Sequence, residues 1–110
     1  MPTEAQNLFL TVDIERKGDE SLVHCRGKLV SGGCSYLHSQ VYPLIADSKR
    51  ILLDVADLDW ADSMGLGALV RLQVVSQKNG CQLQLINIGP QLHKLLTVTH
   101  LLGVLAPSGE

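Results

Sequence analysis

The chain has 110 residues, 45% hydrophobic and 18% charged, which is an ordinary globular composition. That length is enough for one core, so we expect a single domain over residues 1–110 with its core over about residues 8–105. The net charge of −2 argues against direct nucleic-acid binding, which needs a basic face. No apolar run reaches the ~18 residues of a membrane span. The N-terminus MPTEAQN does not resemble a signal peptide, so membrane insertion is not expected.

The first half of the chain predicts a hairpin followed by a helix. Apolar residues alternate over residues 8–15, as in a half-buried strand, and a charged turn containing Gly18 leads to a second strand over 21–26. Residues 27–33 are rich in glycine and predict a flexible loop. Residues 34–46 have a helical apolar stripe, which Pro43 should kink or split.

The second half alternates strands and helices. The short apolar run 51–55 predicts a strand buried on both faces, and the acidic residues 57–62 predict a loop. A helix over 66–78 ends at Asn79-Gly80, a strand covers 81–86, and Pro90 begins a third helix before a short one at 101–105. The order β-β-α-β-α-β-α predicts an α/β fold with a small mixed sheet and right-handed crossovers.

Ser63 lies where the buried strand passes into the second helix. Either Asp62 or Ser63 is a good N-cap, because its side chain can accept from the free N–H groups of the first turn. Ser63 therefore has two interpretations, a capping residue or a phosphoacceptor. A phosphate there would gain from the backbone N–H groups and the helix dipole.

Other chemistries have weaker support. Four acids lie close together in the sequence, Asp54, Asp57, Asp59 and Asp62. Metal binding by them is not expected, because acids on one loop with no matching set elsewhere are usually solvated. No G-x-S-x-G sequence surrounds Ser63, and His93 or His100 would act as a base only if the fold placed it nearby. Phosphate-loop and dinucleotide fingerprints are missing, so we predict no enzyme and no cofactor. Trp60 is either a lid over the core or an exposed hot spot, and for a lone tryptophan between acids burial is the favoured interpretation.

Three cysteines without a secretion signal indicate reduced thiols in a cytoplasmic protein. Four residues of the types that bind zinc are candidate ligands for a zinc site: His24, Cys25, Cys34 and His38. Their spacing fits no standard finger, and a strand would point His24 and Cys25 to opposite faces. The favoured interpretation is a buried Cys25 with surface histidines.

Residues 62–67 read Asp-Ser-Met-Gly-Leu-Gly and resemble the D-S-x-G-L-G signature of the STAS domain (sulfate transporter and anti-sigma factor antagonist). The acids and apolar strand before the motif, and the element order, match as well. The resemblance implies a small mixed sheet covered by helices mainly on one face. Bacterial anti-sigma factor antagonists of this family bind a sigma-inhibiting serine kinase and so release a sigma factor, and phosphorylation of the motif serine ends the binding.

Carried over by position, the resemblance implies a phosphoacceptor at Ser63 and a suspected anti-sigma factor/serine kinase as partner, for a chain that is a monomer or weak dimer. The partner-binding residues would be Asp62, Met64, Gly65, Leu66, Gly67, Gly27, Lys28 and Val30. The last three belong to Gly27-Lys28-Leu29-Val30, which stands where family members commonly have Gly-Glu-Leu-Asp. Met64 stands where a second serine is frequent.

Two other functions stay open at this point. One is a non-switch STAS subunit of a lipid-transport ABC complex or of a signalling scaffold. The other is a small-ligand or nucleotide binder that uses the helix N-terminus as an anion site.

Overall fold

Four strands form one mixed sheet in a computed structural model, which describes residues 9–106. The strands are β1 (Leu10–Lys17), β2 (Glu20–Leu29), β3 (Arg50–Ala61) and β4 (Gln82–Ile86), and they lie in the order β1-β2-β3-β4. β1 and β2 are antiparallel, whereas β2 pairs with β3 and β3 with β4 in parallel. This confirms the predicted mixed sheet.

The four helices are α1 (Ser31–Asp47), α2 (Ser63–Lys78), α3 (Pro90–Val98) and the short α4 (Leu102–Leu105). Their apolar faces share one buried cluster with the inward faces of the strands, including Leu37, Val41, Leu69 and Leu72 from α1 and α2 and Val23, Ile51, Leu53 and Leu85 from the sheet. Crossovers through α1 and α2 therefore bring the start of each helix to the carboxyl end of a parallel strand. Within residues 9–106, no helix is both long enough and apolar enough to cross a membrane.

β2 and β3 extend beyond the predicted strands, so the predictions of loops at 27–33 and 57–62 are wrong. β2 continues to Leu29, α1 begins at Ser31, and β3 continues to Ala61. The extensions pair with each other, with Leu29 opposite Ala61. The pairing with β2 places the acidic stretch in a strand, although its local composition favours a loop.

Gly27 lets β2 bend within this extension. Its φ is +104°, and the register against β3 shifts between Gly27 and Lys28. A Cβ on Gly27 would overlap with the carbonyl oxygen of Phe9, which accepts a hydrogen bond from the Lys28 N–H at 2.7 Å. The glycine is explained by this close approach of two chain segments.

Two further local expectations are not met in full. Pro43 lies inside α1 with its ring exposed, and the helix is not split. In β1, Leu10 and Val12 are buried as predicted, but Ile14 is 38% exposed. Leu8, the predicted edge of the core, lies outside the described residues.

Candidate functional site

Asp62, and not Ser63, caps helix α2. The Asp62 Oδ1 accepts a hydrogen bond from the Gly65 N–H at 2.9 Å, and Asp62 has the extended backbone of an N-cap residue. Ser63 is the first residue of the helix and is exposed. Its hydroxyl makes no hydrogen bond to any other group within residues 9–106. The capping role is therefore filled without Ser63, which leaves its hydroxyl available.

The two neighbouring side chains should differ sharply in their contribution to stability. We expect Asp62→Ala to lower the free energy of unfolding by about 1 kcal/mol, because it removes the cap. Ser63→Ala should change it by less than about 0.5 kcal/mol, as expected for an exposed side chain without a partner. Urea unfolding of both variants measures the difference. Equal losses in the two would contradict the assignment of the cap.

The end of β2 lies directly under the start of α2. The Asp62 N–H donates to the Leu29 carbonyl oxygen at 3.3 Å. A Cβ on Gly65 would overlap with that same oxygen and would lie 2.9 Å from the Leu29 Cγ. The missing side chain of Gly65 thus serves the internal packing of α2 against Leu29.

The residues predicted to bind a partner divide by exposure. Lys28, Ser63 and Met64 are exposed, with Met64 at 57%, while Gly27, Val30, Asp62 and Gly67 are half-buried. Gly65 is buried, and Leu66 is a core residue with 5% exposure. The Leu66 side chain packs inward, and its contact with a partner stays a prediction. We call the exposed pair Ser63 and Met64, the first two residues of α2, the Ser63 surface.

Cys34, near the start of α1, contacts the first turn of α2. Its buried thiol donates towards the carbonyl oxygens of Val30 and Met64, each at 3.4 Å. Burial raises the pKa of the Cys34 thiol; the charge of Asp62 adds to the effect and that of Arg71 opposes it. Cys34 therefore packs here as a neutral thiol, and it joins the start of α1 to the first turn of α2.

The residues of the zinc hypothesis are engaged elsewhere. Cys25 is buried, and burial together with the charge of Asp54 raises the pKa of its thiol to about 12. On the other face of β2, the His24 Nδ1 lies 3.1 Å from the Asp54 Oδ2. The Asp54 Oδ1 also accepts from Asn87 and from the Ala56 N–H. Within residues 9–106, no three His, Cys, Asp or Glu side chains are grouped as a metal site would need.

Trp60 is exposed, contrary to the prediction of burial. Because β3 continues through Ala61, which is buried, the preceding Trp60 points to the opposite face and is 48% exposed. It lines a shallow apolar groove with Leu95 and Val98 of α3. The Gln91 side chain fixes α3 there through hydrogen bonds to the Ala61 backbone N–H and carbonyl, at 3.0 and 2.9 Å. Strand alternation would have indicated this exposure if the length of β3 had been known.

The model of the STAS domain family matches residues 11–108 of the chain. The chain is 24% identical over 101 residues to the anti-sigma-B factor antagonist of Bacillus subtilis (strain 168), a match that covers 92% of the chain and 93% of that protein.

Solved structures share the fold. A putative anti-sigma factor antagonist from Thermotoga maritima matches with a TM-score of 0.78 and 16% identity, over 92% of this chain and 86% of that one. The Bacillus cell fate determinant SpoIIAA in its phosphorylated form matches with a TM-score of 0.69 and 16% identity, over 83% and 85%. The murine anion transporter Slc26a9 matches with a TM-score of 0.67 and 20% identity, over 76% of this chain and 14% of the transporter.

Proposed function

The chain belongs to the STAS domain family, and on that premise we propose that it is a phosphorylation-controlled interaction switch of the anti-sigma factor antagonist type. The unmodified chain binds an anti-sigma factor that is also a serine kinase, and a sigma factor is released. Transfer of phosphate to Ser63 ends the binding. In this proposal the chain is a binding protein, and the partner carries out the catalysis.

The state of the Ser63 hydroxyl is the observation that carries the proposal. A kinase needs an acceptor that is accessible and not held by other groups. Ser63 is exposed on the first residue of α2, and Asp62 alone caps the helix. The modification therefore removes no contact that the fold requires.

The Ser63 surface also indicates the chemistry of the partner. Met64 brings an exposed flexible apolar side chain to a position where family members frequently carry a second serine. Lys28 is an exposed cation near the end of β2, at a position where they commonly carry an acid. The complementary surface on the partner is therefore expected to offer an acidic group to Lys28 and an apolar pocket to Met64. Such a partner differs from one that recognises the acids of other family members.

Phosphate would act on this surface by charge and size. It adds about −1.5 to −2 charges at pH 7, which a close interface accepts only if the partner supplies cations. The start of α2 itself tolerates the group, because backbone N–H groups and the helix dipole favour negative charge there. The structure of SpoIIAA in a phosphorylated form, with a similar fold, supports the view that such a domain stays folded when modified.

The proposal is tested by affinity capture from a lysate of the source organism with three baits, the wild type, Ser63→Ala and Ser63→Glu. A protein with a kinase-type ATPase domain should bind to the first two and be lost from the third. The same protein, purified and supplied with ATP, should transfer phosphate to the wild type and not to Ser63→Ala, as measured by mass spectrometry. A transporter or scaffold held equally by all three baits would refute the switch and favour the non-switch STAS subunit.

A further inference from the structure

Arg71 lies on the same side of α2 as Ser63. The two are eight residues apart, with Gly67 midway, and helical residues spaced by four lie above one another on one face. Ser63, Gly67 and Arg71 therefore form a single stripe along the first half of the helix. Gly67 leaves a gap in that stripe, since a Cβ there would meet only Arg71 within 4 Å.

Two observations place the Arg71 cation towards the start of the helix. Its Nη1 lies 3.6 Å from the position of a Cβ on Gly67, as expected when a long side chain leans towards the N-terminus. Its charge also acts on the Cys34 thiol, which donates towards the Met64 carbonyl oxygen in the first turn. Arg71 is exposed and makes no ion pair or hydrogen bond with any described residue. Its guanidinium is thus free to take an anion.

We propose that Arg71 binds the phosphate carried by Ser63 in the same chain, above the gap at Gly67. This inference rests on the proposed function insofar as Ser63 is the acceptor. Gly67 lies about 6 Å along the helix axis from Ser63, which a phosphoserine and an arginine lying over that turn can span together. A guanidinium fork matches a phosphate in two parallel hydrogen bonds.

The surroundings favour this contact. Arg71 lines a groove between α1 and α2 with Ser35, Ser39 and His38, and no acidic side chain from the described part of the chain lines it. The neighbouring acid, Asp62, is engaged by the Gly65 N–H. A pair of phosphate dianion and guanidinium keeps a net negative charge, so the modified surface still differs in charge from the unmodified one.

The test uses protein in which phosphoserine is inserted at position 63 during translation, so no kinase is needed. Phosphorus NMR titration measures the second pKa of the phosphate. Arg71 favours the dianion, so we expect Arg71→Gln to raise this pKa by about half a unit, the size of an exposed pair. Lys78→Gln, which removes a cation from the last turn of the same helix, should leave it unchanged. Arg71→Lys should restore only part of the shift, because it keeps the charge without the fork.

Gly67 provides a second variant. Gly67→Leu fills the path between the two groups and should raise the phosphate pKa as Arg71→Gln does. Gly67→Ala, whose Cβ would make an ordinary contact with Arg71, should not. The inference is overturned if Arg71→Gln and Lys78→Gln give the same pKa. Failure of the proposed switch would be seen in a different experiment, as a partner that binds Ser63→Glu as well as it binds the wild type. That result would not change the phosphate pKa values measured by NMR.

Discussion

Phosphoserine at position 63 is expected to weaken binding of the partner by about a hundredfold or more, a loss of a few kcal/mol. The physical cause is the burial of a dianion in a contact that was formed around a neutral hydroxyl. Ser63→Glu should reproduce much of the loss, because it carries one negative charge at the same exposed position of α2. Calorimetry with the purified partner measures the dissociation constants.

The control must separate charge at this position from charge in general. Gln82→Glu adds the same charge to an exposed residue at the first position of β4, on the edge of the sheet opposite the start of α2, and should leave the affinity within a few fold. Ser63→Ala should bind like the wild type, since the hydroxyl has no bond to lose. Ser63→Glu should also melt near the wild type, because negative charge is favoured at a helix start. A large fall in its melting temperature would attribute the lost binding to unfolding and contradict the proposal.

Hydrophobic periodicity predicted the element order, because burial of one face leaves a repeat of two or 3.6 residues in the sequence. It failed where pairing between distant segments decides the structure. Residues 57–61 have the composition of a loop, yet they complete β3 because Leu29 and its neighbours on β2 offer a parallel edge. The burial of Trp60 was predicted wrongly for the same reason, since its direction depends on how far β3 continues.

The sequence predicted where the candidate site lies, but it did not predict the role of each residue in it. The motif indicated Asp62 and Ser63, but both are good caps, and only the bond to the Gly65 N–H decides between them. Leu66 and Gly65 belong to the motif, yet they face the core and the Leu29 carbonyl respectively. Arg71 was not singled out, because its spacing from Ser63 has a meaning only once α2 is known to begin at Ser63.

Gly65→Ala is expected to destabilise the fold by about 1–3 kcal/mol, the usual cost of forcing extra atoms into a packed site. The added Cβ would overlap with the Leu29 carbonyl oxygen, which belongs to the main chain and accepts a hydrogen bond from the Asp62 N–H. Neither the Leu29 backbone nor the first turn of α2 can therefore move without losing stabilising contacts. The start of α2 would have to move away from the end of β2. The loss should appear although alanine has the higher helix propensity, and urea unfolding measures it.

Gly67→Ala is the matched control in the same helix. Its Cβ would meet only the Arg71 Nη1 at 3.6 Å, so helix propensity should dominate and stability should rise by up to about 1 kcal/mol. The free energy of unfolding would then fall for Gly65→Ala and rise for Gly67→Ala. The reason is that Gly65 packs against the Leu29 backbone, whereas only the flexible Arg71 side chain lies near Gly67. If both variants were stabilised alike, α2 would not lie as close to Leu29 as described, and the position of Ser63 relative to β2 would need revision.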